Sequence, residues 1–79
     1  MEIRFSKTAA RALLRSDKRE LLRQKIQELA TSRETLAGNI IKLKGREESR
    51  LRVQDWRIIF RVENGIVWID DIGPRGSVY

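Results

Sequence analysis

The segments Arg50-Leu51-Arg52-Val53 and Arg57-Ile58-Ile59-Phe60-Arg61 space four arginines by two and by four. That is the period that sends side chains to one side of a β-strand. A guanidinium is a rigid fork that grips phosphate oxygens with two hydrogen bonds, and all four positions are Arg rather than Lys. The chemistry suited to such a set is binding, and charge stabilisation, at a phosphodiester. Trp68 and Tyr79 would offer flat surfaces to unstacked bases, and Lys42 and Lys44 are candidates for further phosphate contacts. The 79 residues include neither Cys nor His. Disulfides, Cys/His zinc sites, thiol nucleophiles and imidazole catalysis are therefore excluded, and no metal or other cofactor is expected.

The elements that must position these groups are legible from periodicity. Residues 2–6 alternate, with Ile3 and Phe5 apolar, as in a short strand. Ala10, Leu13 and Leu14 recur at helical spacing over 7–15, with Lys7, Arg11 and Arg15 on the neighbouring arc. Asp17-Lys18-Arg19-Glu20 has the form of a capping box, and Leu21, Leu22, Ile26 and Leu29 then predict a second amphipathic helix over 18–31. After Gly38 the period changes to two. Ile40 to Lys44 reads as a short strand or extended loop, 50–53 and 56–62 as strands, and 66–72 as a return strand behind the Asn64-Gly65 hairpin turn. No repeat, linker or low-complexity stretch divides the chain, so residues 1–79 are expected to form one domain. The fold class is α+β, in the order β-α-α-β-β-β(-β), with the helical hairpin packed on one face of a small antiparallel sheet.

Register sorts the side chains. A two-residue turn at Asn64-Gly65 pairs Arg61 with Trp68, Ile59 with Asp70 and Arg57 with Ile72. One face then holds Trp56, Ile58, Phe60, Val62, Val67 and Ile69, with Asp71 at its end. Only one parity puts Leu51 and Val53 on that apolar face, and it sets Arg50 and Arg52 beside Arg57 and Arg61. Two readings of the arginine face stay open. It is a phosphate-binding surface, or it is a solvated sheet face on which Asp70 pairs with Arg57 or Arg61 and Arg61 stacks on Trp68. The net charge of +6 favours polyanionic partners, nucleic acid or an acidic protein surface. A hydrophobic content of 41% argues for a folded chain rather than a disordered basic tail. The longest apolar runs are three or four residues, and no signal-peptide core follows the N-terminus. A cytoplasmic protein with no membrane partner is the expectation.

Leu43-Lys44-Gly45, the run from Arg50 to Phe60, and Ile72-Gly73-Pro74-Arg75-Gly76-Ser77-Val78-Tyr79 together resemble the RelE/ParE toxin superfamily. The resemblance covers the C-terminal half in motif and the whole chain in element order. It implies a toxin of a type II toxin–antitoxin system, blocked by a cognate antitoxin. In the RelE-like branch it implies a metal-independent, ribosome-dependent endoribonuclease that cuts mRNA and inhibits translation. On that basis Arg52, Arg57, Arg75 and Tyr79 are the catalytic candidates. Arg50, Arg61, Lys42, Lys44 and Trp68 are RNA-binding candidates, and Glu47 or Glu48 is an alternative general base. The sequence departs from the family in lacking His beside the C-terminal Tyr and in carrying Pro74 within the Gly-x-Arg motif. Two other functions compete: a ParE-like toxin that inhibits DNA gyrase without nuclease activity, and a non-catalytic basic nucleic-acid-binding domain. Helix 18–31 offers Leu and Ile either to an amphipathic antitoxin segment or to the internal core.

Overall fold

A computed structural model describes residues 1–76 of the chain. Strand β1 (Glu2–Phe5) leads into helix α1 (Lys7–Arg15), and α2 (Arg19–Thr31) returns antiparallel to it in the expected hairpin. A 3-10 helix follows over Arg33–Asn39, where the sequence offers little periodicity and buries only Leu36. Strands β2 (Ile40–Lys42), β3 (Ser49–Val53), β4 (Trp56–Glu63) and β5 (Ile66–Pro74) complete the chain. All five strands form one sheet in the order β1-β5-β4-β3-β2. Strands β2 to β5 are the expected antiparallel meander, whereas β1 joins the far edge parallel to β5, so the sheet is mixed.

The three helices cover one face of the sheet. Helix α2 contributes Leu22, Ile26 and Leu29 at i, i+4 and i+7, and α1 contributes Ala9 and Leu13. They pack against Leu51, Val53, Ile58, Phe60, Val67, Ile69 and Ile72 from β3, β4 and β5. Leu22, Ile26 and Leu29 of α2 are therefore buried core and not available to a partner segment, while Leu21 packs half-buried at its margin.

Three local features differ from the sequence expectation. The capping box at Asp17 does not form: Lys18 occupies the cap without a side-chain bond, and the Ser16 hydroxyl accepts the Lys18 N–H at 2.9 Å. Asn64 and Gly65 take the positive φ values of 53° and 75° that the turn demands, but Gln54 in the β3–β4 turn also sits at +55°. The third difference lies in register. Arg61 faces Trp68 as expected, but a bulge at Asp70 shifts everything beyond it, so that Ile59 faces Asp71 and Arg57 faces Gly73. One inserted residue reverses the parity of the strand that follows. Ile72 thereby enters the core at 3% exposure, and Asp71 joins Asp70 on the arginine face.

Ser6 secures this bulge. Its backbone N–H donates to the Ile69 carbonyl at 2.9 Å, and its hydroxyl donates to the Asp70 carbonyl at 2.8 Å. The same oxygen accepts the Ala9 N–H at 3.0 Å as the N-cap of α1. Ser6→Ala should cost about 1–2 kcal/mol in denaturant unfolding through the lost cap alone, and more through the orphaned Asp70 carbonyl. Ser6→Asp, which caps but cannot donate, should recover only part of that loss. Equal stability of Ser6→Ala and the unchanged protein would sink this account.

Candidate functional site

The face of the sheet turned away from the helices carries Arg50 and Arg52 on β3, Arg57, Ile59 and Arg61 on β4, and Trp68, Asp70 and Asp71 on β5. The parallel pairing of β1 adds Arg4, opposite Trp68. Ile59 is buried on this side with Leu43 in a small second cluster. The four arginines of the sequence pattern do share one face. Their electrostatic surroundings divide them into two groups.

At the end nearer the Asn64-Gly65 turn the charge is neutralised. Arg61 Nε donates to Asp70 Oδ2 at 3.0 Å, and its Nη1 bonds Glu63. Arg4 Nε pairs with Glu2 at 2.6 Å. Both guanidiniums lie against the Trp68 indole, at 5.1 Å for Arg61 and 5.8 Å for Arg4. The half-buried tryptophan is thus already engaged by two cations. Glu48 bonds Arg46 at 3.0 Å and also reaches Asp70. The hydrogen bond from Arg46 keeps the Glu48 carboxyl below its ordinary value. Burial pushes that of Asp70 upward, against the opposing pull of Arg61.

At the other end the charge is not neutralised. Arg52 and Arg57 stand directly opposite one another across β3 and β4. Like charges in that relation are destabilising, with side chains starting roughly 5 Å apart. Neither has a carboxylate partner among the described residues. Arg57 Nη1 instead donates to the carbonyls of Gln54 at 3.1 Å and Trp56 at 3.0 Å, which hold the guanidinium at the β3–β4 turn. The left-handed backbone of Gln54 is what aims one of those carbonyls, and such a conformation is costly for a residue with a Cβ. On the β5 side Arg57 faces Gly73, so no side chain crowds it there. The Arg75 N–H donates to the Asp55 carbonyl at 2.7 Å, tying the exposed Arg75 to the same turn. Arg52 and Arg57 thus face one another at a corner of the sheet to which the backbone of Arg75 is also tied, a set of residues suited to holding a phosphate and opposing charge that develops on it.

The remaining sequence candidates fall elsewhere. Arg50 is half-buried one row in, between Ile41 and Ile59. Lys42 Nζ bonds the Arg46 carbonyl in the β2–β3 loop, and Lys44 is exposed in that loop. Glu47 and Glu48 precede β3, at the opposite end from Arg52, with Glu48 four residues or roughly 13 Å away and Glu47 one residue further. Tyr79 lies outside the described residues. Arg4 went unseen in the sequence because its strand pairs with a partner more than sixty positions away. Asp71 was missed because the bulge reverses its side. Among the described residues no group of three or more acidic side chains is placed to hold a metal ion, and no helix is long and apolar enough to cross a membrane.

Comparison with known proteins identifies the family. Residues 3–79 match the model of the ParE toxin of the type II toxin–antitoxin system parDE. The chain belongs to that family. Its fold is shared across the wider RelE/ParE superfamily. This ParE-family chain superposes on the isolated RelE toxin of E. coli with a TM-score of 0.76 at 20% identity, covering 98% of this chain and 86% of that one. The RelE chain of the RelB–RelE antitoxin–toxin complex from Methanococcus jannaschii gives 0.75 at 26%, with coverage of 95% and 93%. The chromosomal ParDE system of P. aeruginosa gives 0.70 at 14%, with coverage of 95% and 96%. Among curated proteins no sequence matches.

The neutralised end makes a titration prediction. By carbon-detected NMR, the Asp70 carboxyl should titrate above an ordinary aspartate and Glu48 below an ordinary glutamate. Arg61→Gln should raise the Asp70 midpoint further, because the cation that offsets burial is gone. A lowered Asp70 midpoint in that variant would contradict the pairing.

Proposed function

We propose that this toxin is a ribosome-dependent mRNA endoribonuclease whose phosphate site is the corner formed by Arg52, Arg57 and Arg75. The observation that carries the reading is the facing pair Arg52 and Arg57, two cations held together with no acid between them. Such an arrangement costs stability unless an anion occupies it. In this reaction a ribose 2′-oxygen attacks the adjacent phosphorus and the 5′-oxygen leaves with a proton, giving a 2′,3′-cyclic phosphate and a 5′-hydroxyl. The three guanidiniums hold the phosphate in line and stabilise the extra charge of the phosphorane.

Tyr79 is the better candidate for proton transfer. It follows Arg75 by four positions in the Gly-Pro-Arg-Gly-Ser-Val-Tyr motif that carries the resemblance. Glu48 is bonded to Arg46 at the far end of β3, and Glu47 lies beside it. A cognate antitoxin belongs to the same reading, presenting carboxylates to the corner in place of RNA. The E. coli and M. jannaschii RelE structures include complexes with their antitoxins.

A second reading has its own support, since the matching family model is that of ParE. In it the cationic corner is a docking surface for DNA gyrase and no RNA is cut. A non-catalytic nucleic-acid-binding role would give salt-sensitive binding with neither cleavage nor growth arrest.

Mapping of 5′-hydroxyl RNA ends within minutes of induction separates the three. Under the proposal, new ends appear at fixed positions within translated codons, and Arg57→Ala reduces them about 100-fold or more. Growth arrest with damaged or relaxed DNA and no new ends would transfer the protein to the gyrase reading.

A further inference from the structure

The arginine face is not where most of the net charge resides. Residues 7–23 hold six Lys or Arg against Asp17 and Glu20, so four of the chain's six net positive charges sit on the helical hairpin. Lys7, Arg11 and Arg15 follow one another at i, i+4 and i+8 along α1, all exposed, on the side opposite the buried Ala9 and Leu13. Arg19 and Arg23 extend the basic surface onto the first turns of α2. Among the described residues none of these five has a carboxylate partner, and Arg19 bonds only the Leu14 carbonyl.

This arrangement works against the stability of the helix. Like charges at i, i+4 repel, and α1 has Lys7 rather than an acid in its first turn, against the helix dipole. A protein interface of useful strength needs an apolar centre, and the stripe exposes a single large apolar side chain, Leu14. A phosphate backbone needs only cations. We propose that the outward face of α1, continued by Arg19 and Arg23, is a docking surface for the backbone of duplex RNA, separate from the Arg52/Arg57/Arg75 corner.

A-form RNA favours such a ridge over B-DNA. Its major groove is deep and narrow, closed to side chains but flanked by two facing rows of phosphates. A convex stripe spanning about 12 Å along α1 lies across that mouth. The hairpin covers the sheet face opposite the arginine corner, in a molecule whose principal extents are 29 × 25 × 24 Å. One strand threaded through the corner leaves α1 free for a second, folded RNA. The choice of RNA rests on the endoribonuclease reading above, so the test keeps the two apart.

The test measures binding of the full chain to a fluorescent RNA hairpin of mixed sequence, to the DNA duplex of the same sequence and to anionic phospholipid vesicles, over a salt series. The triple variant Lys7→Gln/Arg11→Gln/Arg15→Gln should bind the RNA hairpin about tenfold or more weakly at low salt, and its log–log salt slope should fall by roughly 2 to 3. Its melting temperature should be unchanged or higher, because repulsion along α1 is relieved. Arg52→Gln/Arg57→Gln, measured in parallel, should lose the 5′-hydroxyl ends while weakening hairpin binding clearly less than the triple variant does. Unchanged affinity and slope in the triple variant overturn the proposal. So does equal affinity for the DNA duplex, or a loss seen only with vesicles. Absence of RNA cleavage in the unchanged protein, with the slope change intact, would instead remove the endoribonuclease reading alone.

Discussion

A single extra residue in β5 organises both sides of this molecule. The bulge at Asp70 takes that residue out of register with β4 and frees its carbonyl from the ladder. Ser6 supplies the missing donor while capping α1 and closing the end of β1. One hydroxyl thus fixes three things at once: where the parallel edge strand stops, where the first helix starts, and on which side each residue beyond Asp70 points. Below the bulge Ile72 completes the core under the helices, and above it Asp70 and Asp71 both face the arginines. Without the parity reversal, an acid would be forced into the core and an isoleucine out to the site.

Of the two aspartates only Asp70 pairs with an arginine, Asp71 accepting the Ile72 N–H at 2.9 Å instead, and this makes the electrostatics of the site asymmetric. Asp70 reaches Arg61, and Glu63, Glu2 and Glu48 complete a nearly balanced cluster around Trp68. That end is a set of paired charges, half-buried at Arg61 and Asp70 and exposed at Arg4, Glu2 and Glu63. No such partner reaches Arg52 and Arg57 among the described residues, and backbone carbonyls hold the Arg57 guanidinium instead. Carbonyls orient a guanidinium without cancelling its charge, which leaves it available to an anion. The strained Gln54 turn and the unrelieved arginine pair occupy the same corner, where local stability has been given up for charge density.

The helical hairpin poses the same conflict on the other face. Its inner side follows ordinary amphipathic logic, with Ala9, Leu13, Leu22, Ile26 and Leu29 filling the core. Its outer side stacks like charges that each weaken an isolated helix. Burial of the inner side offsets that repulsion, so the sheet that carries the arginine corner also sustains the basic ridge behind it. At 13–26% identity the related structures share this fold.

The sequence by itself determined the elements, the α+β class and the grouping of Arg50, Arg52, Arg57 and Arg61 on one side. Periods of 3.6 and 2 are local properties, and an Asn-Gly turn sets the register of the residues beside it. Its motifs also pointed to the superfamily. Tertiary structure alone decided the parallel pairing of β1, the bulge at Asp70 and the 3-10 helix, since each depends on contacts distant in sequence or on hydrogen bonds that no pattern records. It alone separated the arginines that carry free charge from those already paired, and set Glu48 apart from Arg52. Charge is written in the sequence, but its neutralisation is a matter of distance, and only the folded chain brings Asp70 to Arg61 and leaves Arg52 facing Arg57.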